Sequence, residues 1–211
     1  MSAEQDLIDK LTTLNQISKA LNQAVDVRGV LSGTLAKLVT LMGLETGWIF
    51  LRAPTATDDP AGSGYVLAAS HNLPPALDLD NGRAWHGGCV CQDLCSNNSL
   101  TEAYNEVHCS RLLNSTGDHR GLAMHASTPL RSGDLTLGIL NVAGPDWSAF
   151  KPEALALLTN MGNLMGVALE RARLFDLVRQ QRAMEQAALL DFSNQLLGRR
   201  GLDDLMDYLV R

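Results

Sequence analysis

The chain has 211 residues with a formal net charge of −6, and 45% of its residues are hydrophobic. That length fills one good domain with helices to spare, and the acidic balance argues against nucleic acid, whose phosphate backbone selects for basic patches. No apolar run approaches the roughly 20 residues needed to span a bilayer, and the opening MSAEQDLIDK is polar and mixed in charge rather than signal-like, so the expected location is the cytoplasm.

Residues 4–43 have a helical pattern. Leu7, Leu11, Leu14, Ile17 and Leu21 form one apolar stripe. Asp26 is the candidate cap of a second helix carrying Val30, Leu31, Leu35, Leu38, Val39 and Met42, and Gly43 reads as its stop. The period then changes. TGWIFLR (46–52) and YVLAAS (65–70) are rich in strand formers, with the loop PTATDDPAGSG between them.

Residues 76–120 read as a long irregular cross-connection with short helices, of which SLTEAYNEVHCSRLL (99–113), capped by Thr101, is the best helical candidate. Two strands follow, 121–130 and 135–144, joined as a hairpin by the turn RSGD. A long helix opens near Pro152 and runs to about Leu197. It is too long for an ordinary globular helix. Leu164, Ala168, Phe175 and Val178 fit a heptad while Arg171, Arg182 and Glu185 interrupt it, so it reads as a connector that pairs with a second copy. Residues 14–35 also align without gaps on 189–210, matching Leu14, Ile17 and Leu21 to Leu189, Phe192 and Leu196. That repeat reads as the start of a second copy of the domain. The expected division is one domain over 1–175, then a connector and the opening of a second domain over 176–211.

All four cysteines lie in the cross-connection: Cys89, Cys91, Cys95 and Cys109, spaced C-x-C-x3-C-x13-C. Four thiolates are a complete ligand set for zinc or an iron–sulfur cluster, and in a reducing compartment such clustering points to metal or redox chemistry rather than structural disulfides. Gly87-Gly88 allows a tight turn with positive φ before Cys89. Cys91 and Cys95, four apart, can share a helix face, with Cys109 closing the site from the following helix. The spacing matches neither the usual ferredoxin runs nor the paired C-x2-C knuckles of zinc ribbons. Iron–sulfur ligation, structural zinc and thiol redox chemistry all remain open on the residues alone.

Other candidates have plainer readings. His86 and His108 adjoin cysteines and could ligate, but read first as neighbours of the site. Trp85 and Tyr104 read as packing, Asp118-His119 as loop polarity, Arg199-Arg200 as a solvated face. His125, alternating with apolar neighbours, could face a ligand cavity or solvent.

The late segment Leu137-Gly138-Ile139-Leu140-Asn141-Val142, then Phe150 and Glu153, then Ala168-Leu169-Glu170-Arg171-Ala172-Arg173-Leu174, resembles the ending of GAF domains, departing from the family's A-L-E-N-A-R-L string by Arg171. The resemblance covers about residues 10–175. It implies an α+β fold: a central antiparallel sheet with helices on one face, a cysteine-bearing crossover on the other, and a long C-terminal helix. It further implies a non-catalytic cytosolic sensory module of a histidine kinase or similar protein, signalling through a dimeric helix to an output domain and a response regulator. Bilin-binding members present Cys-His or Asp-Ile-Pro segments. This chain has the reverse order at His108-Cys109, no Asp-Ile-Pro, and no assembled cyclic-nucleotide constellation. Haem would have to use His86, His108, His119 or His125. Trp85-His86-Gly87-Gly88-Cys89-Val90-Cys91-Gln92-Asp93-Leu94-Cys95 looks closest to the cysteine-rich subset thought to carry iron–sulfur clusters. The resemblance therefore favours a [4Fe-4S] or [2Fe-2S] cluster on Cys89, Cys91, Cys95 and Cys109, sensing redox state, oxygen or another diatomic gas. The alternatives are structural zinc beneath a small-molecule pocket, or a thiol enzyme of the methionine-sulfoxide-reductase type.

Overall fold

The structure, a computed structural model, describes residues 3–24, 27–53, 63–78, 82–85, 87–106 and 110–197. Asp26, His86, His108, Cys109, Arg199-Arg200 and most of the second half of the internal repeat lie outside the described residues.

Two helices come first, α1 (Ala3–Gln23) and α2 (Val27–Leu41). Ile17 and Leu21 of α1 and Leu31, Leu35, Leu38 and Val39 of α2 are fully buried, as their helical spacing requires. Gly43 ends α2 at φ 69°. Its N–H bonds the Thr40 carbonyl at 3.0 Å, and the Leu44 N–H reaches back to the Val39 carbonyl at 2.9 Å. That pair of bonds is the Schellman closure a left-handed glycine permits.

Strands β1 (Thr46–Arg52) and β2 (Tyr65–His71) follow as read, and β4 (Met124–Ser132) and β5 (Leu135–Gly144) form the expected hairpin. β4 starts three residues later than the sequence suggests, because Arg120 and Gly121 are in left-handed conformations and turn the chain first. The expected helix over 99–113 is not there. After α3 (Val90–Ser96), the Ser99 and Leu100 N–H groups both close back on the Leu94 carbonyl. Tyr104–Glu106 then forms a short strand, β3, antiparallel to β4 with Tyr104 opposite Ser127, and only Ser110–Asn114 is helical (α4). The open edge of β4 offers hydrogen bonds that outweigh the local helical preference.

The sheet is antiparallel throughout, in the order β2-β1-β5-β4-β3. Its side chains alternate between two buried layers. Ile49, Leu51, Ala126, Leu130, Leu140 and Val142 meet α1, α2 and the first part of α5 (Pro152–Leu197). Trp48, Phe50, Tyr65, Ile139 and Ala143 meet the crossover on the opposite face. This is the layering the sequence implied. β2 and β3 occupy opposite edges, so the chain between them must traverse the sheet, and Leu77, Cys89, Cys91, Cys95 and Leu100 are buried in doing so, joined by Leu112 of α4.

The chain divides into two compact units, 1–172 and 173–211. In the first, Pro152 opens α5, Phe150 is buried just before it, and Ala168 and Leu169 of α5 are buried near the end of the unit. Arg171 donates from Nη2 to the Leu21 carbonyl at 2.7 Å. In the second, residues 173–197 are helical with Leu174, Phe175, Leu177, Val178, Met184, Leu189, Leu190 and Phe192 all exposed.

Candidate functional site

The site is built where α3 starts. Gly87, at φ 74°, turns the chain toward Cys89, which sits at the N-cap of α3. Gln92 locks that start reciprocally: its side-chain oxygen accepts from the Cys89 N–H at 3.0 Å, and its own N–H points to the Cys89 sulfur. The arrangement is a capping box with a thiol in place of the usual hydroxyl. The sulfurs of Cys89 and Cys91 are then 2.9 Å apart, so the first two cysteines converge from irregular backbone and the first helical turn. Cys95 lies one turn further along and is also buried, but its sulfur lies 3.9 Å from the Gly138 carbonyl oxygen and interacts with the Tyr65 hydroxyl. All three are free thiols.

The cation of the site was missed at the sequence level. Arg111, in α4, is only 6% exposed. Its guanidinium carbon lies 5.1 Å from the Trp85 ring centroid and 5.3 Å from that of Phe50. Its Nη1 donates to the Ala84 carbonyl and its Nη2 to that of Gly87, so one side chain ties the crossover on both sides of residue 86 to the sheet. Its charge also acts on the Cys89 sulfur. The sequence signal was an arginine two residues after Cys109; its burial could not be read without the path of the crossover.

These contacts divide the thiols. The hydrogen bond from Cys91, against the opposing effect of burial and with help from the Arg111 charge and the Gln92 N–H, pulls the Cys89 thiol down to about 6. Of the pair, Cys89 is the more readily ionised. Burial instead pushes the Cys95 thiol up. Burial, then the Cys95 contact, raises the Tyr65 phenol to about 12.

His125 faces the crossover, not solvent. It is 1% exposed and its ring centroid lies 5.6 Å from that of Trp48. Burial, then the Arg111 charge, lowers its pKa to about 4. Asn141 is fully buried nearby; its Oδ1 accepts from the Ser127 hydroxyl at 2.7 Å and its Nδ2 donates to the Trp48 carbonyl at 3.4 Å. The Trp48 indole N–H is buried with no hydrogen-bond partner among the described residues. Such a group costs about 1–3 kcal/mol, which an acceptor carried by a ligand would offset. Trp85 packs as expected, donating to the Leu77 carbonyl at 3.0 Å, while Tyr104 is half exposed. Asp118 caps the Arg120 N–H, and His119 pairs with the Ser115 hydroxyl, so that pair serves its own loop.

Among the described residues no group of three His, Cys, Asp or Glu side chains is placed to hold a metal ion. The donor set fits a thiophilic metal in part: Cys89 and Cys91 converge, Cys95 faces Tyr65 and Gly138, and Cys109 lies outside the described residues.

Residues 24–170 match the GAF domain family, and the chain belongs to it. It is 36% identical over 172 residues to the sensor histidine kinase YhcY of Bacillus subtilis (strain 168), a match covering 79% of this chain and 44% of that protein. The chain thus spans less than half the length of this relative. Among solved structures, the GAF domain of an Acinetobacter phosphoenolpyruvate-protein phosphotransferase superposes with a TM-score of 0.56 at 17% identity, covering 82% of this chain and 96% of that one. The free methionine-R-sulfoxide reductase of Neisseria meningitidis superposes with a TM-score of 0.55 at 16% identity, covering 82% and 95%. At such identities the structures establish the fold alone. No helix among the described residues is long and apolar enough to cross a membrane.

Proposed function

We propose that this GAF domain is the cytoplasmic sensory module of a histidine-kinase-type signalling protein, and that its cysteine segment holds an iron–sulfur cluster through Cys89, Cys91, Cys95 and Cys109. The kinase reading rests on the match to a sensor histidine kinase. An output domain in the same polypeptide and a cognate response regulator follow from it, and the fragment itself is non-catalytic. The observation that carries the cofactor reading is the convergence of Cys89 and Cys91 beside the buried Arg111. An all-thiolate donor set suits iron–sulfur clusters or zinc, and a buried guanidinium offsets the negative charge such a set gathers.

Bound there, the cluster would supply reversible one-electron chemistry and sensitivity to oxygen or other diatomic gases. The chain's own residues do the rest. Gln92 and Gly87 shape the turn that brings Cys89 to Cys91. Arg111 holds the crossover at Ala84 and Gly87, and Trp48, Phe50 and Trp85 keep the thiols out of water. Loss of the thiolates to oxidation would remove the charge Arg111 balances and loosen the crossover, a change to be passed on through α5. On the same reading, α1 and the helix beyond residue 172 pair with a second copy of the chain. The exposed Leu11, Val167, Phe175 and Val178 support that pairing.

The test is an anaerobic preparation measured for visible absorption, iron, acid-labile sulfide and zinc together. Brown protein with matched iron and sulfide, bleaching in air and lost in Cys91→Ser, is the expected result. Colourless protein with one zinc per chain would replace the cluster with a structural metal, and metal content unchanged by Cys91→Ser would remove the segment from the site.

A further inference from the structure

We propose that Thr159 of α5 is a positioning residue through which the crossover sets the seat of that helix on the sheet. This coupling rests on the sensory reading, in which a change in the crossover is passed on through α5, but not on what the cysteines hold.

The chain changes layer abruptly just before β3. Leu100 is buried in the crossover layer, whereas Ala103 packs against the helical layer on the opposite face of the sheet. Both ends of this short passage are tied. The Leu100 N–H bonds the Leu94 carbonyl of α3 at 2.9 Å, and the Ala103 N–H bonds the Thr159 hydroxyl oxygen at 2.9 Å. The Thr159 hydroxyl donates its one proton to the Leu155 carbonyl, a turn back in α5, at 3.0 Å. Its lone pairs are thereby aimed away from its own helix, and Ala103 uses them. A run of hydrogen bonds therefore leads from the cysteine-bearing helix α3, round the sheet, to the backbone of α5.

Helix α5 has little slack with which to absorb a pull at that point. Thr159, Gly162 and Gly166 share one of its faces, and a methyl group at either glycine would meet the β4 backbone, at Pro129 or at Arg131. Backbone there rests on backbone. No flexible side chain lies between to take up a shift, so a pull at Thr159 moves the helix as a body. The seat itself carries a cost. The Thr128 hydroxyl, at the Gly162 contact, is buried with no hydrogen-bond partner among the described residues. An orphaned hydroxyl favours any displacement of the helix that brings it a partner, which is what a two-position element needs.

The test uses amide NMR on the full 211-residue chain, with Thr159→Val to remove the acceptor and Thr159→Ser to keep it. Relative to the amides of the central strand β5, which report global opening, Thr159→Val should speed exchange at the Ala103 amide about fivefold, and Thr159→Ser should leave it unchanged. The crossover is then disturbed at a distance by Leu100→Ala, or by the milder Leu100→Val if the first variant does not fold. In the wild-type and Thr159→Ser backgrounds this change should move the amide resonances of residues 155–166. In the Thr159→Val background the movement should stop within the crossover, a non-additivity that only a coupled pair produces. Resonances of α5 that move equally in all three backgrounds would overturn the proposal and leave the sensory reading standing, because the coupling would then run by another route. Resonances of α5 that move in none of them would overturn both, because the crossover would not reach the helix.

Discussion

His125 and Arg111 are both buried on the crossover face, and the Arg111 charge acts on the imidazole. A histidine whose folded pKa lies near 4, against 6.5 for the free side chain, binds fewer protons folded than unfolded between those values. Stability is therefore complete above about pH 6.5 and falls as the pH drops toward 4. From pH 7 to pH 5 the loss from this one group is on the order of 2 kcal/mol. Urea unfolding across that range should show the slope, and His125→Gln should flatten it; an unchanged slope in the variant would place the effect elsewhere. The sequence could show only that His125 alternates with apolar neighbours. Which face of β4 turns toward the crossover depends on the register with β5, where His125 lies opposite Ala143, and that register is a tertiary fact. Likewise, Cys89 and Cys91 announced themselves by spacing, whereas the ionising partner Arg111 did not, because nothing local marks an arginine as buried.

At the scale of elements, the most demanding contact is that of α5 on β4. A methyl group at Gly162 would lie 2.7 Å from the Pro129 carbonyl oxygen, and one at Gly166 would collide with the backbone of Arg131. Helix and strand approach so closely only because one helix face carries these two glycines, four residues apart. Gly166→Ala should therefore destabilise the domain by about 1–3 kcal/mol, as overpacking does, even though alanine favours a helix by up to about 1 kcal/mol. Thermal unfolding of the variant decides it, and a rise in melting temperature would refute the close seat. The long helix, the first two strands and the hairpin were legible because their periodicity is strong and local. α3 and β3 were not. The first is short and built around a thiol cap, and the second exists only because β4 offers it an edge.

For the whole molecule, residues 173–197 bury little of their apolar surface within the chain, whereas in proteins most helical stability comes from packing an apolar face rather than from propensity. The proposed pairing with a second copy supplies the missing burial. Sedimentation equilibrium should give a dimer, and replacing Phe175 and Val178 together by glutamate should shift it toward monomer with the GAF domain still folded. A wild-type chain that sediments as a monomer would discard the pairing.

The order of strands in the sheet has a consequence for how the chain folds. Trp48 and Asn141, joined by a hydrogen bond on the two central strands, are 93 residues apart in sequence, whereas the β4–β5 hairpin closes over a two-residue turn. Loop-closure entropy makes the hairpin the cheap early event and the central pairing the expensive late one. The crossover cannot settle on its face until that pairing exists, since Trp48 and Phe50 beneath it belong to β1 and Ile139 and Ala143 to β5. The cysteine segment is thus among the last parts to become ordered. During synthesis or refolding its thiols stay open to solvent longest, so the chemistry that reaches them first, metal or oxidant, is decided by kinetics before the core has closed over them.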